Sequence, residues 1–406
     1  MQLIDVLTQG YLLQVDSIKK ISNPTVWSLP LVLVATITSS IQAFADVRYE
    51  PVVEESNYNR DISSFVTWLK ASVAEETIPG IAMAIVDRDS VLLEETWGLK
   101  DVAGQDPIND HSVFRIASMS KTFAGMATAL LVQQHLQSWD TLLTDVFPTM
   151  DLGTRGSSKG IQLKHLVSHS TGLMPHSYSN MLDAGVSYEN IKPKFKQIPT
   201  VCSPGDCYGY QNVVFSLTAD VVEASTGASY GEYLEQEIFK PLGMLGASLG
   251  IEPYKNNPES TKPHRYSKGR WRTTSTNEAY YSVGPASGVN ATIDDMELWL
   301  RANLGGFPGV LPPDFLKSVH EPIIATPRGN YFNRWSGLEK AYYATGWRVF
   351  DYRGLRAVHH GGGVRGYRSE MVFVPEANIG LVVLFNAESK LANDIVPAFL
   401  DNLIDL

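Results

Sequence analysis

The chain has 406 residues, 44% of them hydrophobic and 19% charged. That is enough apolar material for one large core or two lobes, and it excludes a low-complexity or disordered protein. A net charge of −10 with no long basic run argues against a nucleic-acid partner.

In chain order, Lys19 and Lys20 come first, then the apolar run Val26 to Ile41, then Ala43-Phe44-Ala45. This basic, apolar, small-x-small order is the layout of a secretory signal peptide. It is unusual in having Met1 to Ile18 ahead of it, so a later start or a retained membrane anchor are alternatives. Cleavage after Ala45 makes residues 1–45 an extension plus signal and 46–406 the mature domain, periplasmic or secreted. Beyond this segment no stretch is apolar and long enough to span a bilayer. Cys202 and Cys207 are the two cysteines, with Ser-Pro-Gly-Asp between them. In an exported chain the pair is expected to close a disulfide around the turn at Pro204-Gly205. No further ligands at zinc spacing accompany them, and no metal or organic cofactor is expected.

Ile62, Phe65, Trp68, Leu69 and Val73 have helical spacing and predict a helix over 61–73. Ile81 to Val86 and Val91 to Trp97 predict a hairpin about the turn 87–90. A second hairpin is predicted at Glu370 to Val374 and Ile379 to Phe385, and Ala392 to Leu403 predicts a closing amphipathic helix. The middle, 131–285, is helix- and loop-rich, with helices predicted at Phe215 to Ala224 and Tyr230 to Phe239. Strands clustered at both ends pair most simply in one antiparallel sheet. The expected fold class is therefore α+β, an α/β sandwich: N- and C-terminal strands form the sheet, helices flank it (46–130 and 286–406), and a mainly helical lobe is inserted.

Three stretches carry candidate chemistry. The first is Phe114 to Phe123, where Ser118 and Lys121 lie one turn apart on a predicted buried helix, so their side chains share a face. A serine hydroxyl becomes a nucleophile when a base takes its proton, and a buried lysine can serve as that base. The same spacing also starts ordinary helices, with the serine as N-cap, and it recurs at Ser17 and Lys20. The second stretch holds Tyr210 and Asn212. Tyr-x-Asn also occurs at Tyr178, Tyr188, Tyr254 and Tyr331; context selects Tyr210, which follows Pro204-Gly205 and precedes the apolar run from Val213. A tyrosine there can pass a proton or simply wedge a loop. The third is Val358-His-His-Gly-Gly-Gly-Val-Arg-Gly366, whose glycines suit a close backbone approach or a turn, and whose bare amides can hold an oxyanion. His165 and His169, four apart on a predicted helix, lack a zinc-protease pattern and are read as structural.

Taken in order, these stretches resemble the serine β-lactamase and penicillin-binding protein superfamily in its class C-like branch. That branch includes D-alanyl-D-alanine carboxypeptidases and esterases. Its signature is Ser-x-x-Lys, then Tyr-x-Asn, then Lys-Thr-Gly or His-x-Gly near the C-terminus. Pro79-Gly80, the run Leu163 to Gly172, Pro285-Ala-Ser-Gly288 and Thr292 to Leu300 extend the likeness over nearly the whole mature chain. The resemblance implies that Ser118 is the acylated nucleophile and Lys121 its proton partner, with Tyr210 as general base or relay and Asn212 orienting. It implies substrate contacts at His360, Gly361 and Gly362, and an oxyanion hole from the Ser118 and Gly363 amides. His359 also fits His-x-Gly, but neighbouring strand residues face opposite ways, and His360 is expected toward the cleft.

The implied activity is hydrolysis of an amide or ester carbonyl through an acyl-enzyme. The implied substrate is a β-lactam, a D-Ala-D-Ala peptide or an ester, with no stable partner protein. Alternatives on the same fold are a carboxylesterase or a non-catalytic penicillin-binding-type recognition protein. His360 stands where class C β-lactamases carry lysine. A mostly neutral imidazole holds a substrate carboxylate less well, which puts efficient β-lactam turnover in question.

Overall fold

The structure is a computed structural model and describes residues 58–154, 159–327 and 332–404. The expected export segment, residues 1–45, lies outside the described residues, as does Tyr331. The described residues form one compact unit. Among the described residues no helix is long and apolar enough to cross a membrane.

Helix α1 (Ser63–Glu76) starts later and runs further than its apolar spacing predicts. Its stop is Thr77, in the left-handed region at φ 48°, whose amide bonds back to the Val73 and Ala74 carbonyls. Strands β1 (Gly80–Val86) and β2 (Val91–Gly98) follow as the predicted hairpin. The other strands of the main sheet all come from the C-terminal part. They are β3 (Ile324–Ala325), β4 (Leu338–Tyr343), β5 (Arg348–Tyr352), β6 (Leu355–Val364), β7 (Tyr367–Val374) and β8 (Ile379–Phe385). The sheet is antiparallel with order β2-β1-β8-β7-β6-β5-β4-β3. Terminal strands meet at its centre, where Ile81 pairs with Phe385 and Val86 with Gly380. This is the α/β sandwich expected from strands gathered at both ends.

Strands β1 and β8 read as continuous apolar runs because both faces of the sheet are covered. On one face Ala82, Ala84, Val382 and Leu384 join a core with Phe123 and Met126 of helix α2 (Ser120–Gln133). On the other, Ile81, Met83, Leu381 and Val383 pack with Phe65 and Leu69 of α1 and with Phe399 and Leu403 near the C-terminus. Helix α2 is buried nearly all round, as expected of a helix with apolar residues on every side. Phe123 stacks on Trp299 with ring centres 4.2 Å apart, and burying a side chain of that size contributes about 2–3 kcal/mol.

The middle of the chain carries the predicted helices with altered ends. Leu217–Thr226 follows a 3-10 turn at Val214–Ser216. Tyr230–Leu234 runs into a π turn at Glu235–Phe239. This stretch also holds a hairpin, His264–Ser267 with Arg270–Thr273, which apolar periodicity does not reveal. Strand Val289–Ala291 pairs with Phe114–Arg115 and with Ser248–Leu249, and so ties the middle of the chain to the approach to α2.

Candidate active site

Ser118 sits in a 3-10 turn, Ala117–Met119, immediately before α2 and not within it. Ala117 has φ 50°, a left-handed conformation that costs a non-glycine residue energy and here bends the chain sharply into the helix. From Ser112 to Leu131 every residue except Ser118 is buried. The turn thus brings one hydroxyl to the surface of an otherwise closed element.

Lys121, in the first turn of α2, is fully buried and points back at that hydroxyl. Its Nζ lies 2.8 Å from Asn212 Oδ1, 3.0 Å from the Ala286 carbonyl oxygen and 3.3 Å from Ser118 Oγ. It also stands 4.6 Å from the centre of the Tyr210 ring. Burial, reinforced by the Arg348 guanidinium, holds its pKa well below the usual lysine range. A neutral amine has two N–H donors and one lone pair. Asn212 Oδ1 and the Ala286 carbonyl take the two donors, which leaves the lone pair for the Ser118 hydroxyl. Burial pushes the Tyr210 phenol up, against smaller downward pulls from Arg348 and the Ser118 hydroxyl. Of the two groups, the amine is the easier proton acceptor and the phenol the one that stays protonated.

Strand β6 supplies the third wall. The glycines are part of the strand, and the turn falls at the link to β7, with Gly366 at φ 79°. His360 and Gly362 face the nucleophile turn, whereas His359 and Gly361 face away. His359 Nε2 meets Glu370 Oε2 at 2.9 Å on that far side, and a Cβ at Gly361 would strike the Glu370 carboxylate. Of the expected substrate contacts, Gly361 therefore presents no side-chain direction toward Ser118, because strand residues alternate. A Cβ at Gly362 would fall 2.3 Å from the Ile116 carbonyl oxygen and 3.2 Å from Ala117 Cβ. Only glycine lets the strand lie against the nucleophile turn, and Ser369 Oγ fastens it there by donating to Ile116 O at 2.8 Å. Gly363, one residue on, is exposed. Gly362→Ala is accordingly expected to push β6 away from Ser118 and lower turnover about a hundredfold or more, the usual cost of a displaced oxyanion donor. Steady-state kinetics beside a melting curve checks this; an unchanged rate would contradict the role of the close approach.

His360 is buried and neutral. Burial first, then Arg348 and Lys121, hold its pKa well below the imidazole range. Its Nδ1 lies 2.8 Å from Gly361 O, so this nitrogen carries the proton, and Nε2 accepts from the Tyr343 hydroxyl at 3.0 Å. Cys202 and Cys207 form a disulfide with a Cα–Cα distance of 6.3 Å, just ahead of Tyr210. His165 and His169 do not share a helix: the helix ends at Val167, and His169 has φ 58°.

Sequence reasoning missed Arg348. Its guanidinium lies 5.5 Å from the Tyr210 and Tyr343 ring centres and 5.0 Å from that of Phe332. The phenols of Tyr208, Tyr343 and Tyr210 lie within its electrostatic reach. No motif spacing marks it. Strand register sets Arg348 opposite His359 and Tyr343, and its long side chain carries the guanidinium to the Tyr210 ring.

A family model described as Beta-lactamase matches residues 65–405. The chain belongs to the Beta-lactamase family. Relatives of this β-lactamase-family chain include a putative beta-lactamase-like 1 from Homo sapiens, 26% identical over 83% of this chain and 67% of that protein. A beta-lactamase from Escherichia coli strain K12 is 23% identical over 77% of this chain and 85% of the other. An unguisins hydrolase from Aspergillus violaceofuscus is 23% identical over 76% of this chain. The β-lactamase-family chain spans only 58% of that hydrolase's length. Among solved structures, the octameric penicillin-binding protein homologue from Pyrococcus abyssi has the same fold. Its TM-score is 0.74 at 21% identity, covering 85% of this chain and 77% of that one.

Proposed function

We propose that the chain is an exported serine hydrolase that acts through an acyl-enzyme on amide or ester carbonyls of substrates carrying a carboxylate. The observation that carries the reaction is the Lys121 amine, desolvated and with two acceptors already beside it, 3.3 Å from Ser118 Oγ. The Ser118 proton passes to Lys121 Nζ as Oγ bonds to the substrate carbonyl carbon, and the oxyanion is received by the Ser118 and Gly363 amides. Collapse breaks the C–N or C–O bond. The leaving group takes a proton through Tyr210, which Lys121 replenishes. Water then attacks the acyl carbon, gives its proton back through the same pair, and frees Ser118. Asn212 fixes the lysine. Relatives named as hydrolases support the hydrolytic outcome.

The substrate class rests on Arg348. His360 is neutral here, so it does not replace the family lysine as a carboxylate holder, and that feature taken alone favours a carboxylesterase. The Arg348 guanidinium, packed among Tyr208, Tyr210 and Tyr343, supplies a fixed cation beside the Tyr210 ring instead. That favours a β-lactam or a peptide with a C-terminal carboxylate. Arg348→Ala is expected to raise KM for a D-Ala-D-Ala peptide or nitrocefin about ten- to a hundredfold, the worth of one charged hydrogen-bonded contact, while a neutral acetate ester changes little. Equal effects on both substrates would contradict the assignment. A protein that binds these compounds without turning any over would be the recognition protein. Export is supported by the signal-like order before Ala45 and by the Cys202–Cys207 disulfide, which suits an oxidising compartment.

A further inference from the structure

We infer that His169 is a positioning residue for Tyr210, clamping its backbone from both sides and its ring from beneath. The inference rests on the proposed role of Tyr210. The Gly209 amide donates to the His169 carbonyl oxygen at 2.7 Å, and the Gln211 amide donates to His169 Nδ1 at 3.3 Å. Both amides flanking Tyr210 thus end on one residue, and the Tyr210 carbonyl is bonded by the His176 amide at 2.8 Å. To present backbone and ring together, His169 adopts φ 58°, a conformation only a few residue types tolerate.

The ring fits the same task. It is 1% exposed and lies 4.4 Å from the Tyr210 ring, with Phe215 at 4.8 Å and Tyr343 at 4.7 Å. Since Nδ1 accepts, the proton sits on Nε2. That atom is buried and has no nitrogen or oxygen partner among the described residues. Its ring meets the Tyr343 ring at 65°, an edge-to-face arrangement. An imidazolium would lose the acceptor for Gln211 and put a charge in a buried site that already faces the Arg348 guanidinium. The clamp works only as neutral imidazole in this one tautomer. A histidine that merely filled space would need neither the Nδ1 acceptor nor the left-handed backbone.

Asparagine provides the discriminating variant: its Oδ1 occupies the position of Nδ1, and it tolerates a positive φ. Leucine fills similar volume without an acceptor, and His169→Gly, which suits the backbone, replaces it should the leucine variant not fold. Ester turnover is measured per active site titrated with a fluorophosphonate, so that unfolded protein does not count. His169→Leu is expected to lower kcat about tenfold with KM nearly unchanged, the scale of a small misplacement, and His169→Asn to recover most of it. In a Tyr210→Phe background the leucine change should add little further loss, because it acts through the phenol. An unimpaired His169→Leu, an asparagine variant no better than leucine, or full additivity with Tyr210→Phe would overturn the inference. Ser118→Ala run in parallel keeps the two readings apart: turnover retained there removes Ser118 as the nucleophile and defeats the proposed mechanism, whereas its loss beside an unimpaired His169→Leu defeats only the clamp.

Discussion

Ser118→Ala is expected to reduce p-nitrophenyl ester hydrolysis to the background rate, a loss on the order of 10⁴-fold or more, as when a nucleophile is removed from a unit that acts together. The fold should be untouched. Ser118 is the one residue between Ser112 and Leu131 that is not buried, so deleting its hydroxyl opens no cavity. Melting temperature and substrate affinity should therefore stay close to wild type while kcat collapses. A variant that keeps ester turnover would remove Ser118 from the chemistry.

Lys121→Met should have the next largest effect. Methionine matches the aliphatic stem but provides no proton acceptor, and general base catalysis of this kind contributes about 10²- to 10⁴-fold. Stability falls as well, because Asn212 Oδ1 and the Ala286 carbonyl lose their donor, at about 1–3 kcal/mol for each buried acceptor left unpaired. The same geometry fixes the sign of the pH dependence. Burial and Arg348 depress the Lys121 pKa, so the amine is neutral above that depressed value and charged below it. The rate of acylation should fall as pH drops through the lowered lysine pKa. Arg348→Ala, by removing the second cause of the depression, should move this acid limb upward. A limb that stays in place would show that Arg348 does not act on the amine.

The sequence made the main site legible because its chemistry lies in compact motifs. Ser118 and Lys121 are one turn apart, Tyr210 and Asn212 two residues apart, and strand alternation separates His360 from His359. The structure sets the Lys121 amine between Ser118 and Asn212, with the Tyr210 ring beside it. What stayed hidden depends on register and packing. Arg348 starts from a strand position paired with His359 and reaches the Tyr210 ring only through the length of its side chain, which no local pattern encodes. His169 looked like one of a helical pair until the left-handed turn carried its ring under Tyr210. Strands β4 and β5 escaped notice because Glu339, Lys340, Arg348 and Asp351 interrupt their apolar alternation. The terminal strands were plain because both their faces are buried.

The most direct test is to map the site of covalent capture. The intact chain is treated with a fluorophosphonate probe, digested, and the modified peptide read by mass spectrometry beside Ser118→Ala and Tyr210→Phe. The account predicts one adduct, on Ser118, absent in the alanine variant and formed more slowly in the phenylalanine variant. An adduct on another residue, or ester turnover that persists with Ser118 unmodified, would contradict it.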